Sequence, residues 1–243
     1  MFGAMSMQQT MRSEAAIRGC RLVRSARSTL RAFVRASFVA ACLSSITVGG
    51  AGAHPHVWVT MKGELVYAAD GLVTGVRHAW TFDDMYSAFA TQGLEQKRRG
   101  TFARAELAAL AEVNISSLKE YGYFTSAKAN GKKRPFGEPI DYWLDYADSQ
   151  LTLHFTLPFK TPVAARDLAM EIYDPTWFVE FSFAEKNPVA LVDAPAGCQL
   201  KIQRPTGLSA AQGQQLGEDF FNSLTATSNW AAQFANKVLV QCP

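Results

Sequence analysis

Val57-Trp58-Val59-Thr60-Met61-Lys62-Gly63-Glu64-Leu65-Val66-Tyr67, then Ala68-Ala69-Asp70-Gly71, then Leu72 through Phe82, is the stretch that decides the fold. Strand side chains alternate between two faces. Here Val57, Val59, Met61, Leu65 and Tyr67 fall on one face, and Trp58, Thr60, Lys62 and Glu64 on the other. Leu72, Val76, Trp80 and Phe82 repeat the pattern beyond a turn-forming Asp-Gly, so the two runs read as a β-hairpin. Two registers are open. Pairing Tyr67 with Leu72 sets His56 opposite Asp83, whereas a tighter turn at Asp70-Gly71 sets Trp58 opposite Asp83. In both registers His56 and Asp83 face the same side at the same end of the hairpin.

Working outward, Asp83-Asp84 reads as the N-cap of a short helix through about Gln92. Residues 102–121 carry Leu107, Leu110, Ala111, Ile115 and Leu118 near helical spacing and predict a longer amphipathic helix. Strands return at 123–128, before the tight-turn pair Asn130-Gly131. Residues 142–146 with 151–157, and 166–173 with 177–183, read as two further hairpins. Short strands at 189–193 and 199–203, helices at 209–224 and 229–235, and a last strand at 238–241 complete the chain. Strands dominate and helices are inserted. The expected fold is α+β: an antiparallel β-sheet or sandwich with inserted helices, in one domain spanning 54–243 after a cleaved leader.

Residues 1–53 have the grammar of a signal peptide. Arg12, Arg18, Arg21, Arg24, Arg27, Arg31 and Arg35 face the single acid Glu14, a short apolar run covers 37–48, and Ala51-Gly52-Ala53 is a small-x-small cleavage triplet. The apolar run is too short for a stable helix across a bilayer roughly 30 Å thick, and no later stretch resembles a transmembrane helix. A rival cut at the lipoprotein-like Val39-Ala40-Ala41-Cys42 would reduce the apolar run almost to nothing. The whole chain has 24 basic and 21 acidic residues; without the leader's seven basic and one acidic residue, 17 face 20, a net of −3. The basic pI of 8.7 therefore belongs to the leader and argues for neither nucleic-acid nor membrane binding. Cys20 and Cys42 leave with that segment, and the remaining Cys198 and Cys242 are expected to pair in an oxidising compartment.

Cutting after Ala53 creates the N-terminus His54-Pro55-His56. Its α-amine, one imidazole beside it and a second two residues on form a chelating set for a divalent metal. Pro55 has no amide hydrogen, so the peptide-nitrogen ligation of the common three-residue copper/nickel motif is blocked there. Amine and imidazole donors suit zinc, nickel, cobalt or copper better than calcium or magnesium. The expected metal residues are His54, His56, Asp83 and Asp84, with helix capping the plain alternative for the two aspartates and a frayed terminus that for the histidines. His78 shares a face with Val76, Trp80 and Phe82 and reads as a hydrogen-bonded, half-buried histidine; His154 reads as plain surface, Trp143 and Trp177 as core, and Asp174-Pro175 as a turn. A glycine-rich phosphate loop, a serine nucleophile elbow and a His-Glu-x-x-His are all missing from the sequence, so a non-enzyme is expected.

Several segments together carry a resemblance: Ala53-His54-Pro55-His56-Val57-Trp58-Val59, Trp80-Thr81-Phe82-Asp83-Asp84-Met85-Tyr86-Ser87, Tyr121-Gly122-Tyr123-Phe124-Thr125, Tyr173-Asp174-Pro175-Thr176-Trp177-Phe178 and Ala194-Pro195-Ala196-Gly197-Cys198. Over essentially all of the chain after the leader, it resembles a bacterial family of domains of unknown function described as the periplasmic component of an uncharacterised ABC-type transport system. The resemblance implies an exported accessory protein that serves an inner-membrane metal permease, often of nickel/cobalt type, or an ABC-type transporter. Many relatives carry an acidic, glycine-containing stretch resembling a calcium loop. Here the corresponding Glu95-Gln96-Lys97-Arg98-Arg99-Gly100 is basic where carboxylates would be needed. The competing expectations are a non-metal periplasmic interaction domain and a copper oxidase with an N-terminal histidine brace; the second needs a further histidine at the site, which the face of His78 opposes.

Overall fold

The computed structural model describes residues 56–205 and 235–243. The expected leader, His54 and the helices expected at 209–224 and 229–235 lie outside those residues, apart from Ala235. Two sheets form the body. The first runs β5(Ile140–Ala147), β6(Gln150–Val163), β2(Val73–Phe82), β1(Val57–Tyr67), β8(Val179–Phe183), with β9(Val189–Val192) also beside β1. The second runs β10(Gln199–Gln203), β11(Asn236–Gln241), β7(Asp167–Ile172), β3(Thr125–Ala129), β4(Lys132–Lys133). Their buried faces feed one apolar cluster: Met61, Trp80 and Phe155 come from the first sheet, Ala127, Met170 and Val238 from the second. The sheet-rich expectation holds, and the helices among the described residues are α1(Asp84–Ala90), α2(Ala108–Leu118) and a 3-10 turn over Lys119–Phe124. No helix among the described residues is long and apolar enough to cross a membrane.

The opening hairpin forms in the tighter register. Val59 pairs with Phe82 and Met61 with Trp80, up to an irregularity at Val66/Tyr67. Asp70 Oδ1 accepts the Leu72 N–H at 3.1 Å, and the Ala68 N–H donates to the Leu72 carbonyl, which closes the turn. The β5–β6 hairpin forms as well. At Gly75 the neighbouring strand comes so close that a Cβ would stand 2.6 Å from the Leu157 carbonyl oxygen, which is why only glycine fits.

Three expectations are corrected. The runs at 166–173 and 177–183 do not pair with each other: β7 lies between β11 and β3, while β8 runs parallel to β1. The intervening residues 173–178 therefore cross between sheets, because Asp174 ties its neighbours into a turn instead of a two-residue hairpin loop. The first sheet is mixed rather than antiparallel, since β9 also runs parallel to β1. The second helix starts at Ala108, six residues late. The Glu106 carboxylate accepts the Ala103 and Lys97 N–H groups, at 2.6 and 3.1 Å, and holds the approach in a turn.

Cys198 and Cys242 are joined, 44 residues apart in sequence. The bond ties the segment before β10 to the residue following β11, at the edge of the second sheet. A loop of that size contributes on the order of 4 kcal/mol in the chain-entropy account. A protein beginning at His54 should show no titratable thiol until it is denatured and reduced. Cys198→Ser should lower its unfolding free energy by roughly 3–4 kcal/mol in urea titration; two reactive thiols in the native protein would contradict the pairing.

Candidate functional site

His56 stands exposed where β1 begins. Its N–H and that of Val57 both donate to the Phe178 carbonyl, at 2.9 and 3.2 Å, and its ring lies 4.9 Å from the Phe178 ring. The tighter register sets Trp58, not His56, opposite Asp83: the Asp83 N–H donates to the Trp58 carbonyl at 3.0 Å, and the Trp58 N–H donates to Asp83 Oδ2 at 2.9 Å. Asp83 Oδ1 accepts the Tyr86 N–H at 2.9 Å, which makes the residue the N-cap of α1. Asp84 Oδ1 accepts a hydrogen bond from Gln150 Nε2 at 2.8 Å. Both carboxylates thus have structural partners. Among the described residues no three His, Cys, Asp or Glu side chains come close enough together to hold a metal ion, and His54 is outside that set.

The crossover that supplies Phe178 is organised by Asp174. This residue is buried; its Oδ1 accepts from the Thr176 N–H and hydroxyl at 2.8 and 2.7 Å, and its Oδ2 from the Val179 N–H at 2.9 Å. Trp177 follows with φ of 60°, a left-handed backbone, and is half-buried where a core position was expected.

His78 is buried more deeply than expected, at 3% exposure, between Trp80 and Phe155. The Thr125 hydroxyl donates to the Tyr123 carbonyl at 2.8 Å, so its one proton is spent and the His78 Nε2–H is the donor across the 3.4 Å contact to Thr125 Oγ1. Burial pushes the imidazole down to about 3. The unfolded chain binds this proton near pH 6.5 and the folded one only near 3, so stability is complete above about pH 7 and falls as the medium is acidified through that window. This group should remove about 1.4 kcal/mol per pH unit below pH 6. Urea denaturation at pH 7, 5.5 and 4.5 should show that slope, and His78→Leu should lose one proton's worth of it. An unchanged slope in the variant would refute the assignment.

The outer face of the first sheet holds a cluster that sequence reasoning missed. Trp143, expected in the core, lies instead flat on His154, with centroids 4.7 Å apart and planes 7° from parallel. Arg104 sits over the indole at 4.5 Å. Asp145 gathers the group: Oδ2 accepts from Trp143 Nε1–H and from His154 Nε2, both at 3.1 Å, and Arg104 Nη2 is 3.6 Å from Oδ1. Burial pushes the His154 pKa below its ordinary value, with Arg104 adding to the shift and Asp145 opposing it, so the imidazole is a neutral donor near pH 7. The signal was present in the sequence: Trp143 and Asp145 are two apart on one strand, and the hairpin register aligns Trp143 with His154.

The chain matches the family described as "Protein of unknown function (DUF1007)" over residues 39–242, and it belongs to that family. It is similar to an uncharacterised protein of Haemophilus influenzae, 25% identical over 198 residues, covering 79% of this chain and 93% of that one. It also resembles an uncharacterised 15.5 kDa protein of Spirochaeta aurantia, 33% identical over 117 residues, covering 47% of this chain and 84% of the other. Against solved structures, an acetylcholine-binding protein of Biomphalaria glabrata aligns with 85% of this chain and 96% of its own, at 11% identity and a TM-score of 0.31, too slight to carry an argument.

Proposed function

We propose that the protein is an exported, periplasmic accessory component that binds a divalent transition metal, zinc, nickel, cobalt or copper, through its processed N-terminus. Its partner in this reading is an inner-membrane metal permease or ABC-type transporter, a link that rests on the sequence resemblance. One observation supports the chelate most: the chain is pinned at His56 and Val57 by the Phe178 carbonyl while His56 itself is exposed. The donors in this reading are the His54 amine and imidazole and the His56 imidazole. Asp83 and Asp84 already hold hydrogen bonds and would add negative charge at the same end.

The copper-brace alternative finds less support. His78 is buried on the inner face, and His154 pairs through Ala79 with Lys62, about 20 Å along the strand from His56 at 3.3 Å per residue. The interaction-domain alternative draws on the Trp143–His154 cluster, which could receive a ligand unrelated to metal.

Calorimetric titration of the protein beginning at His54 tests the chelate. Affinity for zinc, nickel or copper should fall steeply below about pH 6, as protons compete for amine and imidazole. His56→Ala should remove most of the binding, and one extra residue ahead of His54 should weaken it by turning the amine into an amide. Asp83→Asn keeps the helix cap, at which Asn serves as well as Asp, but loses the second acceptor, the one for the Trp58 N–H; it should cost about 1 kcal/mol of stability while leaving affinity within a few-fold. A His56→Ala variant that binds as tightly as the parent would overturn the reading.

A further inference from the structure

Successive cross-strand pairs align four side chains in one row across the outer face of the first sheet: Trp143 on β5, His154 on β6, Ala79 on β2 and Lys62 on β1. Neighbouring strands in a sheet are about 4.8 Å apart. Trp143 and His154 stack at almost that repeat, 4.7 Å. Arg104 also lies over the indole, 4.5 Å from its centroid, and the Trp143–His154 pair points the stack toward the middle of the sheet. At the next position the stack stops, because Ala79 carries only a methyl group. Lys62 stands one strand further on. The row therefore leaves a slot one side chain wide between an imidazole and a lysine, inside a cavity of about 340 Å³.

The rest of the lining has a definite chemistry. Gly63 and Ala79 contribute small residues to the lining, and the Arg77–Glu64 ion pair, 2.9 Å, satisfies its own charges along one side. Among the described residues neither the Lys62 nor the Asp141 side chain has an ion pair or hydrogen bond. Asp141 reaches the cavity from an irregularity in β5, where the register slips between Ile140 and Trp143 and Asp141 takes φ of 50°. A left-handed, non-glycine residue in a bulge is costly, and such bulges re-aim side chains at sites. The slot thus offers a ring face on one side and a cation on the other, and the wider cavity carries the Asp141 carboxylate beyond His154, at the β5 edge.

We infer that this slot is a binding site for a flat aromatic or heteroaromatic acid, whose ring continues the Trp143–His154 stack above Ala79. The ligand's anionic group meets Lys62. The volume fits one small molecule of this kind and is at the low end of known ligand pockets. The site is independent of the N-terminal chelate: it lies about 20 Å away along the same strand.

Indole-3-acetate serves as the probe, since it joins a flat ring and a carboxylate. Two-dimensional NMR titration of the protein beginning at His54 should give a Kd below about 1 mM, with shifts centred on His154, Ala79 and Lys62. Cyclohexaneacetate, an acid without a flat ring, and 3-methylindole, a flat ring without an acid, should each bind at least about tenfold more weakly. Ala79→Leu fills the slot from an outward-facing position and should weaken the probe at least about tenfold, with an unchanged melting curve. Lys62→Met should erase the preference for indole-3-acetate over 3-methylindole. His56→Ala should leave the probe's affinity unaltered, which separates this site's fate from that of the metal reading. No saturable binding up to about 10 mM, equal binding of the cyclohexane acid, or an Ala79→Leu variant as tight as the parent would each overturn the proposal.

Discussion

β1 hydrogen-bonds along both edges for nearly its whole length, and the rest of the molecule is arranged around it. One edge takes β2 antiparallel; the other takes β8 beside Val57–Met61 and β9 beside Gly63–Val66, both parallel. A strand with both edges occupied has its register fixed from two sides, and a slip of one residue would turn its apolar face to water. Val59, Met61 and Leu65 are each 1% exposed. Burying three such side chains is worth roughly 1.5–3 kcal/mol apiece, so the register is defended mainly by the core and not by the turn.

That defence explains which parts of the fold were legible. Period-two alternation depends on one strand and its own core face, so β1, β2, β5 and β6 could be read directly, as could the Asp83 cap. The pairing partner of a strand is not encoded in its alternation. β7 and β8 are adjacent in sequence and alternate alike, yet Met170 pairs with Val238 and Ala127 while Phe181 pairs with Val59. Parallel pairing is harder still, because its crossover leaves no short turn signal. The late start of α2 has another cause. Phe102 is buried edge-on against Tyr146, 5.0 Å between centroids, so the apolar residue at which the helix was expected to begin anchors the approach to a turn instead.

Trp143 shows the same limit at the candidate sites. Composition assigns a tryptophan to the core, but a tryptophan next to a strand irregularity can be turned outward, and here its ring is shared by a histidine, an arginine and an aspartate. His56 and Asp83 were readable as neighbours on one side of one end. What could not be read was that the Asp83 carboxylate, besides capping the helix through the Tyr86 N–H, also accepts the Trp58 N–H, since that depends on which of two registers closes.

The crossover at 173–178 links these observations physically. Its backbone carries strain: Trp177 is left-handed, and Tyr123 and Phe124, which meet the crossover through the bond from the Tyr173 N–H to the Phe124 carbonyl, are left-handed too. Each such residue costs on the order of 1–2 kcal/mol against an ordinary backbone. The compensation is local. Asp174 supplies three accepted hydrogen bonds in a buried setting, where bonds to a charged group are worth about 1.5–3 kcal/mol each, and Phe124 packs 5.3 Å from Phe181. The Phe178 carbonyl that fixes His56 is therefore positioned by a buried carboxylate four residues upstream. The exposed N-terminal end of β1 inherits its geometry from the interior, and an aspartate that touches no candidate ligand decides where the histidine stands.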